Sequence, residues 1–266
     1  QEVAKRIGPT LSRDAQANTP LIRAALREAA QALGAHTPAQ DLKRQLLQNA
    51  VDADIVIDMH CDSDAVMHLY SLTPHAHMAQ ELGAQLGARA VLLATESGDS
   101  PFDEACSRPW LDLQRMMGPT LGKDAITLAC FSATVELRGE ADVSHALARQ
   151  DAAGLMAFLR LRGVLQGAPL EPKQALCEPT PLSGSEPITA PSAGVIVFHR
   201  QSGERVDAGD AIADIVNPDT GEVTTLRCKS GGMLYARCST RWAAAGKRLA
   251  KIAGTSLART GKLLSP

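Results

Sequence analysis

Apolar residues in the first part of the chain recur at helical spacing. Leu21, Ala25, Ala29 and Leu33 fall on one face of a predicted helix, and Leu42, Leu46 and Leu47 continue in a second. The period then changes. Asp54-Ile-Val-Ile-Asp58 sets three β-branched residues between carboxylates and predicts a short buried strand. A helix is predicted from about His75 to Leu86, and Ala90-Val-Leu-Leu-Ala94 reads as a second strand. A further helix is expected around 102–117, followed by a segment, 125–137, that is strand-like in both halves. The clearest helix covers 146–162, with Leu147, Ala152, Leu155, Met156 and Leu159 as its apolar stripe. Strands that are almost continuously apolar, alternating with helices, predict an α/β fold. Its expected form is a mixed, mainly parallel sheet with helices on both faces.

The texture shifts over residues 166–187, where Pro169, Pro172, Pro179, Pro181 and Pro187 discourage regular helix and predict an extended connector. The expected division is an α/β domain over 1–165, this connector, a β-domain over 188–254 and a tail over 255–266. The β-domain contains an internal repeat. Ala190-Pro-Ser-Ala-Gly-Val-Ile-Val-Phe leads to Gly203-Glu-Arg-Val-Asp-Ala-Gly-Asp-Ala-Ile-Ala-Asp-Ile. Cys228-Lys-Ser-Gly-Gly-Met-Leu-Tyr-Ala then leads to Arg241-Trp-Ala-Ala-Ala-Gly-Lys-Arg-Leu-Ala-Lys-Ile. Two such halves resemble the barrel-sandwich hybrid of biotinyl and lipoyl carrier domains. A carrier places its modified lysine in the hairpin between the halves. Here that hairpin, Asn217-Pro-Asp-Thr-Gly-Glu222, has none, so no biotin or lipoyl group is expected.

Composition narrows the classes. Hydrophobic residues make up 45% and charged residues 21%, enough apolar material for a packed core. A net charge of -2 argues against a nucleic-acid partner. No apolar run is long enough to span a bilayer, so no membrane partner is expected. The 6 cysteines are scattered without a CxxC pair, which reads as free thiols in a reducing cytoplasm. The sequence opens at Gln1, without an initiator methionine and directly in helix-like sequence, so it is expected to continue a longer chain.

Two segments carry candidate chemistry. In Asp54-Ile-Val-Ile-Asp-Met-His-Cys-Asp-Ser-Asp64, His60 stands at the carboxyl end of a predicted strand, where open α/β sheets place their ligands. Its imidazole could bind a metal or simply hydrogen-bond a neighbouring Asp. In Ala133-Thr-Val-Glu-Leu-Arg-Gly139, Glu136 interrupts an apolar strand, a placement that demands either a cation partner such as Arg138 or a role in proton transfer.

Together, Asp58-Met-His-Cys-Asp62 and, about seventy residues on, Thr134-Val-Glu-Leu-Arg-Gly139 resemble the zinc-carboxypeptidase-like fold. They are more closely similar to its succinylglutamate desuccinylase/aspartoacylase branch, whose appended β-domain matches the repeat. The resemblance implies that His60 is a zinc ligand and Glu136 the general acid/base. It further implies hydrolysis of an amide or ester of a small N-acyl amino acid or similar acyl compound. The family's other zinc ligands lie in an H-x-x-E motif, and none of the 7 histidines here is followed by Glu at the third position. Those ligands are expected upstream of Gln1, and the chain alone is expected to bind zinc poorly. The alternative is a catalytically dead homologue serving as a binding or regulatory scaffold.

Weaker candidates follow. His75-Ala-His77 begins a helix on which the two rings do not share a face. Arg108 closes a predicted polar loop from Ser97 and could pair a substrate carboxylate. Arg138 lies two residues from Glu136 and so, by strand alternation, on its side, where it could orient that carboxylate or bind substrate. No Gly-x-Ser-x-Gly elbow or P-loop occurs. The β-domain is expected either to narrow the hydrolase cleft or to mediate self-association into a homo-oligomer.

Overall fold

The computed structural model describes residues 2–98 and 100–264. In chain order the elements are helices α1 (Glu2–Ile7), α2 (Ala15–Gln31) and α3 (Pro38–Ala50), then strands β1 (Ile55–Asp62), β2 (Asp64–Ala65) and β3 (Met67–Leu72). Next come α4 (Ala76–Leu86), β4 (Ala90–Ala94), α5 (Phe102–Leu121), β5 (Phe131–Gly139), α6 (His145–Leu161) and β6 (Thr180–Pro181). The remainder is β7 (Glu186–Thr189), β8 (Gly194–Phe198), β9 (Arg205–Val206), β10 (Ala211–Val216), β11 (Val223–Arg227), β12 (Gly232–Arg237), β13 (Trp242–Ala243) and β14 (Arg248–Ala253). No described helix is long and apolar enough to cross a membrane.

Two compact units result, Gln1–Asp58 with Ser100–Ala133, and Met59–Asp99 with Thr134–Pro266. The first is mostly helical. Asp14 caps α2 by accepting from the Gln16 and Ala17 amides, and Thr37 caps α3, with Pro38 in its first turn. Ile22, Leu26 and Ala30 of α2 pack with Trp110 and Leu113 of α5. The predicted α2 stripe is therefore rotated by one residue, since Leu21 and Leu33 are exposed. Both registers have four-residue spacing, but only the one containing Ile22 and Leu26 also aligns Asn18. That buried amide donates to Ser12 O and Ala125 O.

The second unit holds most of the sheets. One has strand order β1-β5-β3-β4-β6, with β3, β4 and β6 mutually parallel. The sheet is mixed and mainly parallel, as the alternation of elements predicted. Helix α6 buries Asp151, Gly154 and Phe158 and half-buries Leu147, Leu155 and Leu159 of the predicted stripe, but leaves its Ala152 and Met156 exposed. Gly154 explains this orientation. A Cβ there would fall 2.7 Å from Gln85 O of α4, so only glycine lets the two helices approach.

The repeat folds as two antiparallel sheets, β11-β10-β8-β13 and β2-β12-β14-β7, with β9 pairing β12. Each half of the repeat contributes one hairpin pair, β8 with β10 and β12 with β14. Ile188, Val206, Ile212, Leu234 and Ile252 share one core cluster, and Ile196, Ile215, Ala243 and Leu249 another. The compact units do not part at the proline-rich connector. Within it Thr180 and Pro181 pair with Leu92 and Leu93 of β4, and β7 begins at Glu186. A core of Ala65, Ala90, Leu92, Leu182, Met233 and Tyr235 draws on residues from both sides of the expected boundary.

Leu234 is fully buried at the centre of β12. Leu234→Ala is expected to cost about 2–5 kcal/mol through lost transfer energy and the cavity left behind. A urea unfolding curve of the variant measures this directly, and a loss below about 1 kcal/mol would contradict the packing described.

Candidate active site

Phe131 N–H donates to Asp54 O at 2.9 Å, and further along Glu140 N–H donates to Asp62 O at 2.8 Å. The partners advance together, so β1 and β5 run parallel. Counted from the first bond, His60 stands level with Glu136, on adjacent strands about 4.8 Å apart. Side chains level in a parallel pair leave the sheet on the same face. The structure therefore brings these two residues together. At the second bond β5 has gained one residue over β1. The surplus lies at Arg138, whose φ of 73° departs from extended backbone, as in a β-bulge.

The surroundings of His60 differ from expectation. The predicted strand ends at Asp58, whereas β1 continues to Asp62 and forms the edge of its sheet. Met59, His60 and Cys61 are exposed, with Met59 at 58%. The polar residues beyond Ile57 still pair with β5, so a buried core is not what keeps them extended. Glu136 is half-buried.

The arginines take different places. Arg138 does not follow simple alternation, and its guanidinium donates to both carboxylate oxygens of Asp151 on α6. This bidentate pair occupies the group that was expected to meet a substrate or Glu136. Arg108 is not in a loop. It lies inside α5, in the other compact unit, with Glu104 at 3.9 Å and Asp112 at 3.5 Å, one helical turn before and after it. The acidic residues that made the stretch look loop-like instead stabilise the first turn of the helix. His75 is buried at the start of α4 while His77 is exposed, so the pair does not converge.

Residues that the sequence reading passed over form a buried polar chain, whose Tyr70 feels the charge of Glu136. His68 on β3 is fully buried. Its Nδ1 donates to Val66 O at 2.8 Å, which leaves Nε2 to accept from the Tyr70 hydroxyl at 3.3 Å. Tyr70 also hydrogen-bonds Tyr235, and the Tyr235 hydroxyl meets Ser185 Oγ at 2.9 Å. Burial drives the Tyr70 phenol well above its ordinary pKa, with Tyr235, Glu136 and Asp62 adding to the effect. The available signal was His68-Leu-Tyr70 at alternate positions of an otherwise apolar segment. Closer to the strand end, Asp62 is partly buried, which opposes ionisation, but Lys251 Nζ at 2.6 Å keeps its carboxyl below the usual range.

Among the described residues no group of three or more His, Cys, Asp or Glu is placed to hold a metal ion. A catalytic zinc needs about three protein ligands, so the residues present do not fit one by themselves.

Among solved structures that share this fold is a succinylglutamate desuccinylase/aspartoacylase family protein from Shewanella amazonensis. It aligns over 94% of this chain and 68% of its own, with a TM-score of 0.81 and 24% identity. A second, from Shewanella frigidimarina, covers 90% of this chain and 64% of its own at a TM-score of 0.77 and 24% identity. The ectoine utilization protein EutE (DoeB) from Ruegeria pomeroyi covers 83% and 66% at a TM-score of 0.58 and 17% identity. No protein-family profile and no curated protein matches the chain. The chain thus has the fold of succinylglutamate desuccinylase/aspartoacylase proteins and spans about two thirds of the length of these examples.

Burial brings the His68 imidazole down from 6.5 to about 4, and its bond to Val66 O opposes this only in part. The unfolded chain then binds the proton more readily than the folded one. Stability from this group is full above about pH 6.5 and is lost as pH falls towards 4. The stability advantage over His68→Gln should shrink by on the order of 3 kcal/mol between pH 7.5 and 4, measured by urea unfolding at several pH values. A difference that does not change with pH would contradict this placement of His68.

Proposed function

We propose that the protein hydrolyses an amide or ester bond in a small N-acyl amino acid or a similar acyl compound. The supporting observation is that Glu136 and His60 sit level on adjacent parallel strands, at the edge of a sheet whose fold is that of the desuccinylase/aspartoacylase proteins. In this reading Glu136 takes a proton from the attacking water as its oxygen bonds to the acyl carbon. The same carboxyl then returns the proton to the departing amine or alcohol as the acyl bond breaks.

Zinc belongs to this reading as the group for which the resemblance reserves His60. The described residues do not assemble the remaining ligands, and the roles given to Glu136 stand on its own position. The second reading is a catalytically dead homologue that serves as a binding or regulatory scaffold. The β-repeat is proposed to narrow the cleft or to join copies of the chain. The free cysteines support a reducing, cytoplasmic setting.

Release of free amine from a panel of N-acyl amino acids, with zinc supplied, tests the proposal. Glu136→Gln is expected to lower kcat/KM by about 10²–10⁴ with KM little changed. Equal rates for the two proteins would remove Glu136 from the mechanism. Binding without turnover in the unaltered protein would favour the scaffold reading.

A further inference from the structure

Two ion pairs fasten the short stretch that follows His60. Asp62 receives Lys251 Nζ of β14 at 2.6 Å, and Asp64 receives Arg237 Nε of β12 at 2.7 Å. Neither pair is freely exposed, the side chains ranging from 15% to 31%. Backbone bonds run alongside. Ala236 and Arg237 pair with Ala65 and Asp64, and Val66 N–H donates to Tyr235 O at 2.9 Å. Ser202 Oγ donates to Asp64 O at 3.1 Å. The end of β5 is held by the same part of the repeat, where Ser239 Oγ donates to Glu140 Oε1 at 2.9 Å.

The two apolar clusters of the repeat are built without these ion pairs, although Arg237 also donates to Arg200 O at 2.9 Å and lies over the Phe198 ring at the end of β8. The strand end does need them. As an edge strand β1 has one ladder, and its exposed residues around His60 lack a covering core. Successive carboxylates at alternate positions, each claimed by a cation from a different strand of the repeat, restrain that end in two directions.

We propose that Lys251 and Arg237 are positioning residues, which hold the Asp62–Asp64 segment so that His60 stays level with Glu136. The catalytic consequence rests on the hydrolase reading above, whereas the restraint itself does not.

Hydrogen–deuterium exchange on the full chain separates the two. In Lys251→Met combined with Arg237→Met, amides over 60–65 should exchange about tenfold faster while β10 and β11 keep their protection. Lys251→Arg, which keeps the charge, should restore most of the lost protection. Unchanged exchange over 60–65, or an equal rise in β10 and β11, would overturn the proposal. With a substrate that the unaltered protein hydrolyses, the double variant should lose about tenfold in kcat with KM within about twofold, as misplacement of catalytic groups predicts. If the exchange result holds but the unaltered protein hydrolyses no acyl compound, the restraint stands and the hydrolase reading fails. If hydrolysis occurs and exchange is unchanged, the restraint alone fails.

Discussion

The stretch from Asp62 to Val66 belongs to two sheets within a few residues. Asp62 ends β1, in the mixed sheet, while Asp64 and Ala65 pair with β12 of the repeat. A backbone cannot slip in one of these ladders without breaking the other. That double commitment fixes where β3 starts, sets Tyr70 and Tyr235 within hydrogen-bonding reach, and places the strand end carrying His60 under two cations. The repeat is therefore part of the same compact unit as β3, β4 and β6.

Two buried polar groups inside this unit are satisfied by their neighbours. His68 has one nitrogen for a carbonyl and one for a hydroxyl, and both find partners. Glu186 is buried, and its carboxylate accepts from the Lys229 and Ser230 amides and from Ser230 Oγ. Such groups add little net stability when paired but cost heavily if a partner is removed. They favour one arrangement of strands over its near alternatives.

Much of this was legible in the residues. Ala90–Ala94 is a strand with the predicted bounds because three large apolar residues leave no other option. The two halves of the repeat announced two hairpins through their glycines and alternating strands, and β8 with β10 and β12 with β14 pair accordingly. The motif segments led to His60 and Glu136, which the strand register sets side by side. Other features depend on partners distant in sequence. Strand β3 escapes the sequence pattern because His68, Tyr70 and Ser71 interrupt its apolar run; in the fold His68 pairs locally with Val66 O and Tyr70, and Tyr70 reaches the distant Tyr235. The orientation of Arg138 turns on a bulge and on Asp151, neither of which strand alternation can anticipate. The helix expected around 102–117 is present, but the stretch up to Arg108 also reads as a polar loop because its first turn is rich in Asp, Glu and Ser, residues that suit helix starts as well as loops.

The central claim is that the reacting groups meet where β1 and β5 lie level. A crystal structure of the protein with a hydrolysis product, such as a free acyl carboxylate, tests this most directly. The account predicts the product carboxylate within hydrogen-bond reach of Glu136, about 2.6–3.2 Å, on the face shared with His60. A product bound on the opposite face of the sheet, or within the helical unit around Trp110, would contradict it.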